Sequence, residues 1–465
     1  MARIFALYVE DEDGPDIDRF GGTIAAAGFE VVRAWDAAEV EAILAVEGGP
    51  FFDLVVIDRN IPATGGAVAD TAVGDALFDS LVSRMPDRAF ILLTGYADQE
   101  HVVHTLQRPN MIALGPGTQV QQIQHYTKSN TLEFASAVHS LGEQFRATED
   151  ISLEGEDIDL PNRRLLKRVA QDYLGSSIRA RSAPGGLSET PVWICEVFAA
   201  DGRALSLLVV KVMPAGSQGP RGGFMASVRP QMAAPVTHMV SGGCAGVVGS
   251  VAPLAGRSAV PLQDAIRLDL DVALNGLGSV LSELARQDVA PRSIPLHELV
   301  APFIAWEKAE EVAALFHVDL PRAEIPAPIR YGCLHGDLHP GNVLIVDDRP
   351  VFIDFDNQCD GSRLADVFSL ALGAVFHKSG ALRDSPPSSD SLTSLLKGCL
   401  APCHPWLDAC AKWWRSEGYS GREFWGGLLG YALRQLKYPD VVKRPDLVEL
   451  ARAVAVLAAE EFAES

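Results

Sequence analysis

The densest polar chemistry in the chain lies in "LHGDLHPGNVLIVDDRPVFIDFD", residues 334–356. Asp337 and Asn342 share a loop, and Asp354 ends the apolar run beyond a short turn. The flanking runs "NVLIV" and "VFIDFD" read as strands, so the order is loop, strand, turn, strand. That order sets hard oxygen ligands around a small volume. Phosphoryl transfer needs such a set: one carboxylate orients an acceptor hydroxyl and takes its proton, while others hold the Mg²⁺ that bridges the phosphates.

A second group of acids stands near the start. Glu10 and Asp11 follow the apolar run "RIFALYV", Asp58 ends "FDLVVID", and Thr94 lies at the end of "AFILLTG". Helical patterns such as "DAAEVEAILAVE" separate these runs. Strands alternating with helices imply a parallel sheet covered on both faces. The carboxyl ends of its strands form the ligand-binding edge. Three carboxylates meeting there repel one another unless a divalent cation joins them, and Mg²⁺ suits an all-oxygen site. A carboxylate beside that cation can itself accept a phosphoryl group.

Taken in order, "YVEDE", "DLVVIDRNIPATGG", "LLTGYAD" and "YTKS" resemble the receiver domain of bacterial response regulators. The resemblance covers residues 1–146. It implies a doubly wound parallel five-stranded sheet, with Asp58 as phosphoacceptor and Glu10 and Asp11 holding Mg²⁺ with it. Thr94 would hydrogen-bond the phosphoryl group and Lys128 would pair with it. An upstream histidine kinase is the implied donor. The sequence departs from the family in a longer segment between Thr94 and Lys128, through "RPNMIALGPGTQVQQ", and in Ser129 where the family usually has proline.

The stretch "LHGDLHPGNVLI" with "IDFD" is similar to the catalytic core of the aminoglycoside phosphotransferase and choline kinase-like family, which has the bilobal protein-kinase fold. On that resemblance Asp337 is the catalytic base, and Asn342 and Asp354 bind Mg²⁺ and nucleotide. His335 supports the loop, and Asp366 in "SRLADVFSLA" anchors it; His339 is structural. The hairpin "VWICEVFAA" and "ALSLLVVKV" would belong to the nucleotide lobe. Lys211 would meet the ATP phosphates, and Gly185 and Gly186 would let backbone N–H groups approach them. ATP and Mg²⁺ are the cofactors this implies.

The resulting division is a receiver-like domain at 1–146, an acidic linker at 147–160, an N-lobe at 161–257 and a helical C-lobe at 258–465. The linker reading rests on six acids between Glu149 and Asp159 with no basic residue among them, which reads as a solvated hinge.

Composition sets outer bounds. At 465 residues the chain exceeds one ordinary core. A formal charge of −21 argues against nucleic acid, whose phosphates call for Lys and Arg. That charge also points towards a cationic acceptor. The N-terminus lacks a signal-peptide plan, and no uninterrupted apolar run is long enough to span a bilayer, so no membrane partner is expected. Seven sparse cysteines suit a reducing cytoplasm rather than a disulfide framework. Cys399, Cys403, His404 and Cys410 do not follow a zinc spacing and read as thiols of a helical segment.

One feature opposes turnover. Kinases pair the nucleotide lysine with a glutamate on the next helix, yet residues 202–263 contain no Asp or Glu. Two functions therefore follow. The first is an ATP- and Mg²⁺-dependent phosphotransferase acting on an unidentified hydroxyl, regulated through its receiver in a two-component pathway. The second is a nucleotide-binding pseudokinase or signalling scaffold with a receiver docking module. Receivers often dimerise, which leaves a homodimer open.

Overall fold

The structure, a computed structural model, describes residues 3–95, 111–116, 118–155, 157–183, 190–214, 223–287, 289–399 and 402–465. The chain forms two compact units. One comprises Met1–Arg181, Trp193–Gln218 and Thr237–Val251; the other comprises Ser182–Val192, Gly219–Val236 and Ala252–Ser465.

The first unit opens with β1 (Ile4–Val9), α1 (Pro15–Ala26), β2 (Phe29–Ala34), α2 (Ala37–Leu44), β3 (Phe52–Asp58), α3 (Thr71–Arg84) and β4 (Ala89–Thr94). A hairpin, β5 (Met111–Gly115) and β6 (Thr118–Gln121), precedes β7 (Ile123–Thr127) and α4 (Thr131–Glu149). The sheet is wholly parallel, in the order β2-β1-β3-β4-β7. This is the receiver-like doubly wound order. Both faces are buried, which explains the unbroken apolar runs of β3 and β4. On one face Tyr8, Val56 and Ile91 pack with Phe20 of α1 and Phe134 of α4. On the other, Leu7, Val55 and Leu92 pack with Leu77 and Leu81 of α3. The long "RPNMIALGPGTQVQQ" segment is thus partly accounted for by the β5–β6 hairpin.

The acidic run after α4 keeps Asp150, Glu154, Asp157 and Asp159 exposed, as a solvated stretch does, but part of it is built into secondary structure. Glu149 ends α4 and pairs with Arg164 and Lys167, both at 3.1 Å. Residues Ser152–Glu154 form β8, an edge strand. Asp159 caps α5 (Leu160–Asp172) by accepting the Asn162 N–H at 2.9 Å. The acids were legible as charge, but their partners lie in a helix and strand that follow.

Those partners open a second sheet, β12-β13-β11-β10-β9-β8, made by β9 (Ser177–Ser182), β10 (Val192–Phe198), β11 (Ala204–Pro214), β12 (His238–Val240) and β13 (Val247–Leu254). Helix α5 covers it with Leu165, Leu166 and Val169, and buries Arg164, Lys167 and Arg168 as well. Arg164 forks onto Asp53 at the start of β3, and Arg168 reaches the Leu114 carbonyl of β5. Phe51 lies under two guanidinium groups, of Arg88 at 3.8 Å and Arg164 at 4.8 Å. The turn between β12 and β13 joins the same surface. Asp87 accepts the Gly243 N–H through its carbonyl at 2.8 Å and the Gly246 N–H through its carboxylate at 2.9 Å. Gly242 lies so close to Ala113 that a Cβ would fall 2.1 Å from its carbonyl oxygen.

The second unit is kinase-like, with mixed sheets and many helices. It begins with α6 (Phe224–Ser227), then β14 (Ala259–Pro261), α7 (Leu262–Leu268), α8 (Leu270–Arg286), β15 (Ala290–Pro295), α9 (Leu296–Val300) and α10 (Trp306–Phe316). Strands β16 (Pro326–Leu334), β17 (Val343–Val346), β18 (Arg349–Phe352) and β19 (Cys359–Ser362) follow. The chain closes with α11 (Leu364–Phe376), α12 (Ser389–Leu396), α13 (Pro405–Ser416), α14 (Gly421–Leu436), α15 (Pro439–Val442) and α16 (Pro445–Glu464). Every residue of α11 is buried. A helix apolar all round belongs at a core's centre, and Phe368 of α11 packs there on Trp414 of α13 and Phe424 of α14. Among the described residues no helix is long and apolar enough to cross a membrane.

Candidate active site

The loop between β16 and β17 is held from below. Asp366, fully buried on α11, accepts the His335 N–H at 2.7 Å and the Gly336 N–H at 3.0 Å. Burial raises its pKa to about 6, against the pull of His335 and of these backbone N–H groups. His335 bonds through Nε2 to the Ile353 carbonyl at 2.9 Å. Its ring packs edge-on against Phe224 of α6 at 5.4 Å and tilted against Phe355 at 5.3 Å. So one acid braces the start of the loop, and one histidine ties that start to the residue before Asp354. Gly336 has φ +81°, and a Cβ there would lie 1.9 Å from the Asn357 carbonyl. No other side chain fits that turn.

Asp337 and Asn342 are locked to each other. The Asn342 amide donates to the Asp337 carbonyl at 2.8 Å, and the Asn342 carbonyl accepts the Ile353 N–H at 3.0 Å. The Asn342 side chain thereby turns its amide nitrogen to protein. Asp354 is half-buried with φ +61°, a conformation costly for a residue with a Cβ and one that gathers at functional sites. These oxygen donors suit Mg²⁺.

The Asp337 carboxylate faces a small cleft between α11 and α14, with a cavity volume of about 30 Å³. Arg434 of α14 donates to it at 3.2 Å and also to the Tyr438 hydroxyl at 2.8 Å. His339 and His377 stack with centroids 4.3 Å apart and an interplanar angle of 16°. Burial lowers both pKa values to about 3, so both rings are neutral near pH 7. Arg434 and His377 escape a sequence reading. Each stands far along the chain from Asp337, and only the packing of α11 and α14 brings them to it. The aromatic spacing of "EFWGGLLGYALRQLKYPD" signals a buried helix, which is true of α14 but silent on its cleft-facing side.

Lys211 lies half-buried on β11. Gly185 and Gly186 fall outside the described residues. The helix found after β11 among the described residues, α6, has four residues and no acid. In the same acid-free stretch Arg229 pairs with Glu283, a buried acid of α8, at 2.6 Å.

At the receiver-like sheet, ligand oxygens of Glu10, Asp11 and Asp58 lie within 4.8 Å of one another. Lys128 reaches Glu10 at 2.8 Å and Asp58 at 2.9 Å. Burial and then the Asp58 charge raise the Glu10 pKa to about 7. Burial also raises Asp58 and Asp11. Burial alone would lower Lys128, but its bonds to Glu10 and Asp58 raise it overall. One lysine leaves three crowded carboxylates under-compensated, and a divalent cation fits that deficit. Thr94 is buried at the end of β4, and its carbonyl accepts the Lys128 N–H at 2.8 Å. Of the cysteine group, Cys410 is buried, and His404 caps α13 by accepting the Trp406 N–H at 3.2 Å.

Residues 234–385 match the phosphotransferase enzyme family, APH. No curated protein matches the chain. Among solved structures, a CheY-like response regulator receiver domain protein from Methanospirillum hungatei JF-1 is 23% identical, with 31% of this chain and 98% of that one covered and a TM-score of 0.22. An amicoumacin kinase in complex with AMP-PNP, Ca²⁺ and Ami is 14% identical, over 60% of this chain and 88% of that one, at a TM-score of 0.28. A choline/ethanolamine kinase family protein from Mesorhizobium loti is 14% identical, over 60% and 92% respectively, at 0.26.

Proposed function

We propose that this fusion of a receiver-like domain with an APH-family phosphotransferase domain is an ATP- and Mg²⁺-dependent kinase for a hydroxyl acceptor, regulated by phosphorylation of Asp58. The observation that carries the reading is the braced loop: Asp337 faces a cleft, and its backbone is fixed by Asn342 and, through Gly336 and His335, by Asp366. Asp337 orients the acceptor hydroxyl and takes its proton. The acceptor oxygen then bonds to the γ-phosphorus as the bond to the bridging oxygen breaks, and ADP leaves. Bound Mg²⁺–ATP supplies the phosphoryl group and neutralises its charge. Asn342 and Asp354 would hold the cation, and Lys211, Gly185 and Gly186 would hold the phosphates. Arg434 keeps the Asp337 carboxylate aimed into the cleft.

At the other site Glu10, Asp11 and Asp58 would hold a second Mg²⁺ while Asp58 takes phosphate from a histidine kinase. Thr94 and Lys128 would then engage the new charge. Incubating the full chain with Mg²⁺–ATP and a panel of small alcohols, and following ADP release and acceptor labelling, tests the catalytic claim. Labelling of an acceptor that vanishes in Asp337→Asn supports it; no labelling of any alcohol or protein by a chain that binds ATP removes it.

The second reading, a nucleotide-binding scaffold without turnover, is favoured by one observation. The stretch after Lys211 has no acid, and its described helix is a single turn. ATP binding without transfer is its signature.

A further inference from the structure

The cleft beside Asp337 has a polarity that the net charge of the chain conceals. His339 and His377 are 4% and 7% exposed. Nδ1 of His339 accepts the Gly341 N–H at 3.0 Å, and Nδ1 of His377 accepts the Ser379 N–H at 3.2 Å. A neutral imidazole that accepts at Nδ1 carries its proton on Nε2. Both Nε2 atoms are buried without a hydrogen-bond partner. That of His339 is 4.0 Å from the Asp337 carboxylate, too far to bond. Two buried N–H donors therefore stand unused at the cleft wall, an unfavourable state until something accepts from them.

The cations agree with the donors. Arg434 stands in the cleft, Lys378 adds positive charge near both rings, and Arg383 acts on His377. The acids are already engaged: Asp337 by Arg434 at 3.2 Å and Asp440 by Arg383 at 2.9 Å. An aromatic cage for an ammonium group is missing as well. The ring of Tyr438 already has Arg434 at 5.9 Å and Lys437 at 5.4 Å. Tyr431 is packed against Phe303 and Phe376. An amino alcohol would find no free carboxylate and no free aromatic face on these groups. An oxyanion would satisfy both imidazole donors beside a guanidinium.

We propose that this cleft binds the acceptor as a small alcohol bearing a carboxylate or phosphate group, with Nε2 of His339 and His377 donating to that group while Asp337 takes the hydroxyl proton. This rests on the phosphotransferase reading and reverses the expectation of a cationic acceptor. The cavity is narrow, about 30 Å³, which limits the acceptor to a compact compound.

The test is calorimetric binding of glycerate, glycerol 3-phosphate, glycerol and ethanolamine to the full chain with Mg²⁺–AMP-PNP, repeated on His377→Leu and His377→Gln. Glycerate or glycerol 3-phosphate should bind best, and the two arms tell carboxylate from phosphate. His377→Leu should weaken that binding about tenfold or more, as expected for losing a donor to a charged group. His377→Gln keeps an N–H near the Nε2 position and should restore most of it. Unchanged AMP-PNP affinity in each variant shows that the fold is intact. Tighter binding of ethanolamine, no binding of either anion at millimolar concentration, or anion binding unmoved in both variants overturns the proposal. ADP release with the same compounds separates the two claims. Anion binding without turnover removes the phosphotransferase reading and leaves the anion cleft standing. Turnover of ethanolamine keeps that reading and removes the anion cleft.

Discussion

At the receiver-like site, three carboxylates crowd within 4.8 Å and lean on one lysine. At the loop between β16 and β17 the acids are dispersed: Asp337 answers to Arg434 of α14 and Asp366 to backbone N–H groups. Burial, and for Glu10 also the Asp58 charge, raises these carboxylate pKa values and creates demand for a cation. Dispersal gives Asp337 and Asp366 separate partners rather than a shared cation. Two acidic sites on one chain are thus distinguished by how their charges are compensated, and substitution can separate them.

The sharpest cut is Asp337→Asn. It should lower transfer by about a thousandfold, within the usual range for losing a general base, and leave Mg²⁺–ATP affinity within about twofold. Single-turnover rates with a labelled acceptor measure it. A comparable loss in Asp58→Ala without any phosphorylation would break the contrast, because the two sites would then act as one.

Next in size is the buried pair that supports the crowded sheet. Arg164→Leu leaves Asp53 buried without its fork. Removing one partner of such a pair costs about 3–5 kcal/mol. Urea unfolding should show a loss of that order, and a change under 1 kcal/mol would mean that water replaces the guanidinium.

Asp366 tests the dispersed plan through pH. Its folded pKa, about 6, lies above the ordinary value of 3.8. The folded chain therefore holds that proton more tightly, so the stabilising contribution is complete below about pH 3.8 and is lost as pH rises through 6. The ionised buried carboxylate then costs roughly 3 kcal/mol at neutral pH. Asp366→Asn should gain stability relative to wild type between pH 4.5 and 7, while transfer falls because one backbone N–H loses its acceptor. Parallel urea curves at the two pH values would contradict this.

The smallest effect is regulatory. Acetyl phosphate should label wild type and not Asp58→Ala, and labelling should change transfer a few-fold, about 1 kcal/mol of coupling. Equal rates in a labelled and an unlabelled chain would leave the receiver-like domain as a docking module.

Much of this was legible in local sequence, for local reasons. Strand ends place Glu10, Asp11, Asp58 and Thr94 by alternation alone, and the parallel five-stranded sheet follows from the apolar runs. The order of residues 334–356 specifies a braced loop because neighbours in sequence make the bonds, as Asn342 does with Asp337. What stayed hidden depends on packing between distant elements. Arg434 reaches the cleft from α14 and His377 from just beyond α11, and the patterning of those helices records only burial. Glu149 reads as solvated charge because its partners Arg164 and Lys167 lie on a helix further along the chain. The missing acid after Lys211 was plain in the sequence, but not that a one-turn helix would place Phe224 against His335.

The turn at Gly242 carries a consequence for inheritance. Fused signalling proteins are often pictured as beads, with input modules traded freely between chains by recombination. Here the backbone of Gly242 rests against that of Ala113, and Asp87 receives two N–H groups from the same turn. A receiver grafted from elsewhere would need an acid at that spot, a matching hairpin and a partner for Arg164 all at once. This receiver-like domain is consequently a poor candidate for shuffling. Its lineage and that of the sheet beside it should branch together, and a chimera that exchanges residues 1–146 alone should fail at folding before it fails at signalling.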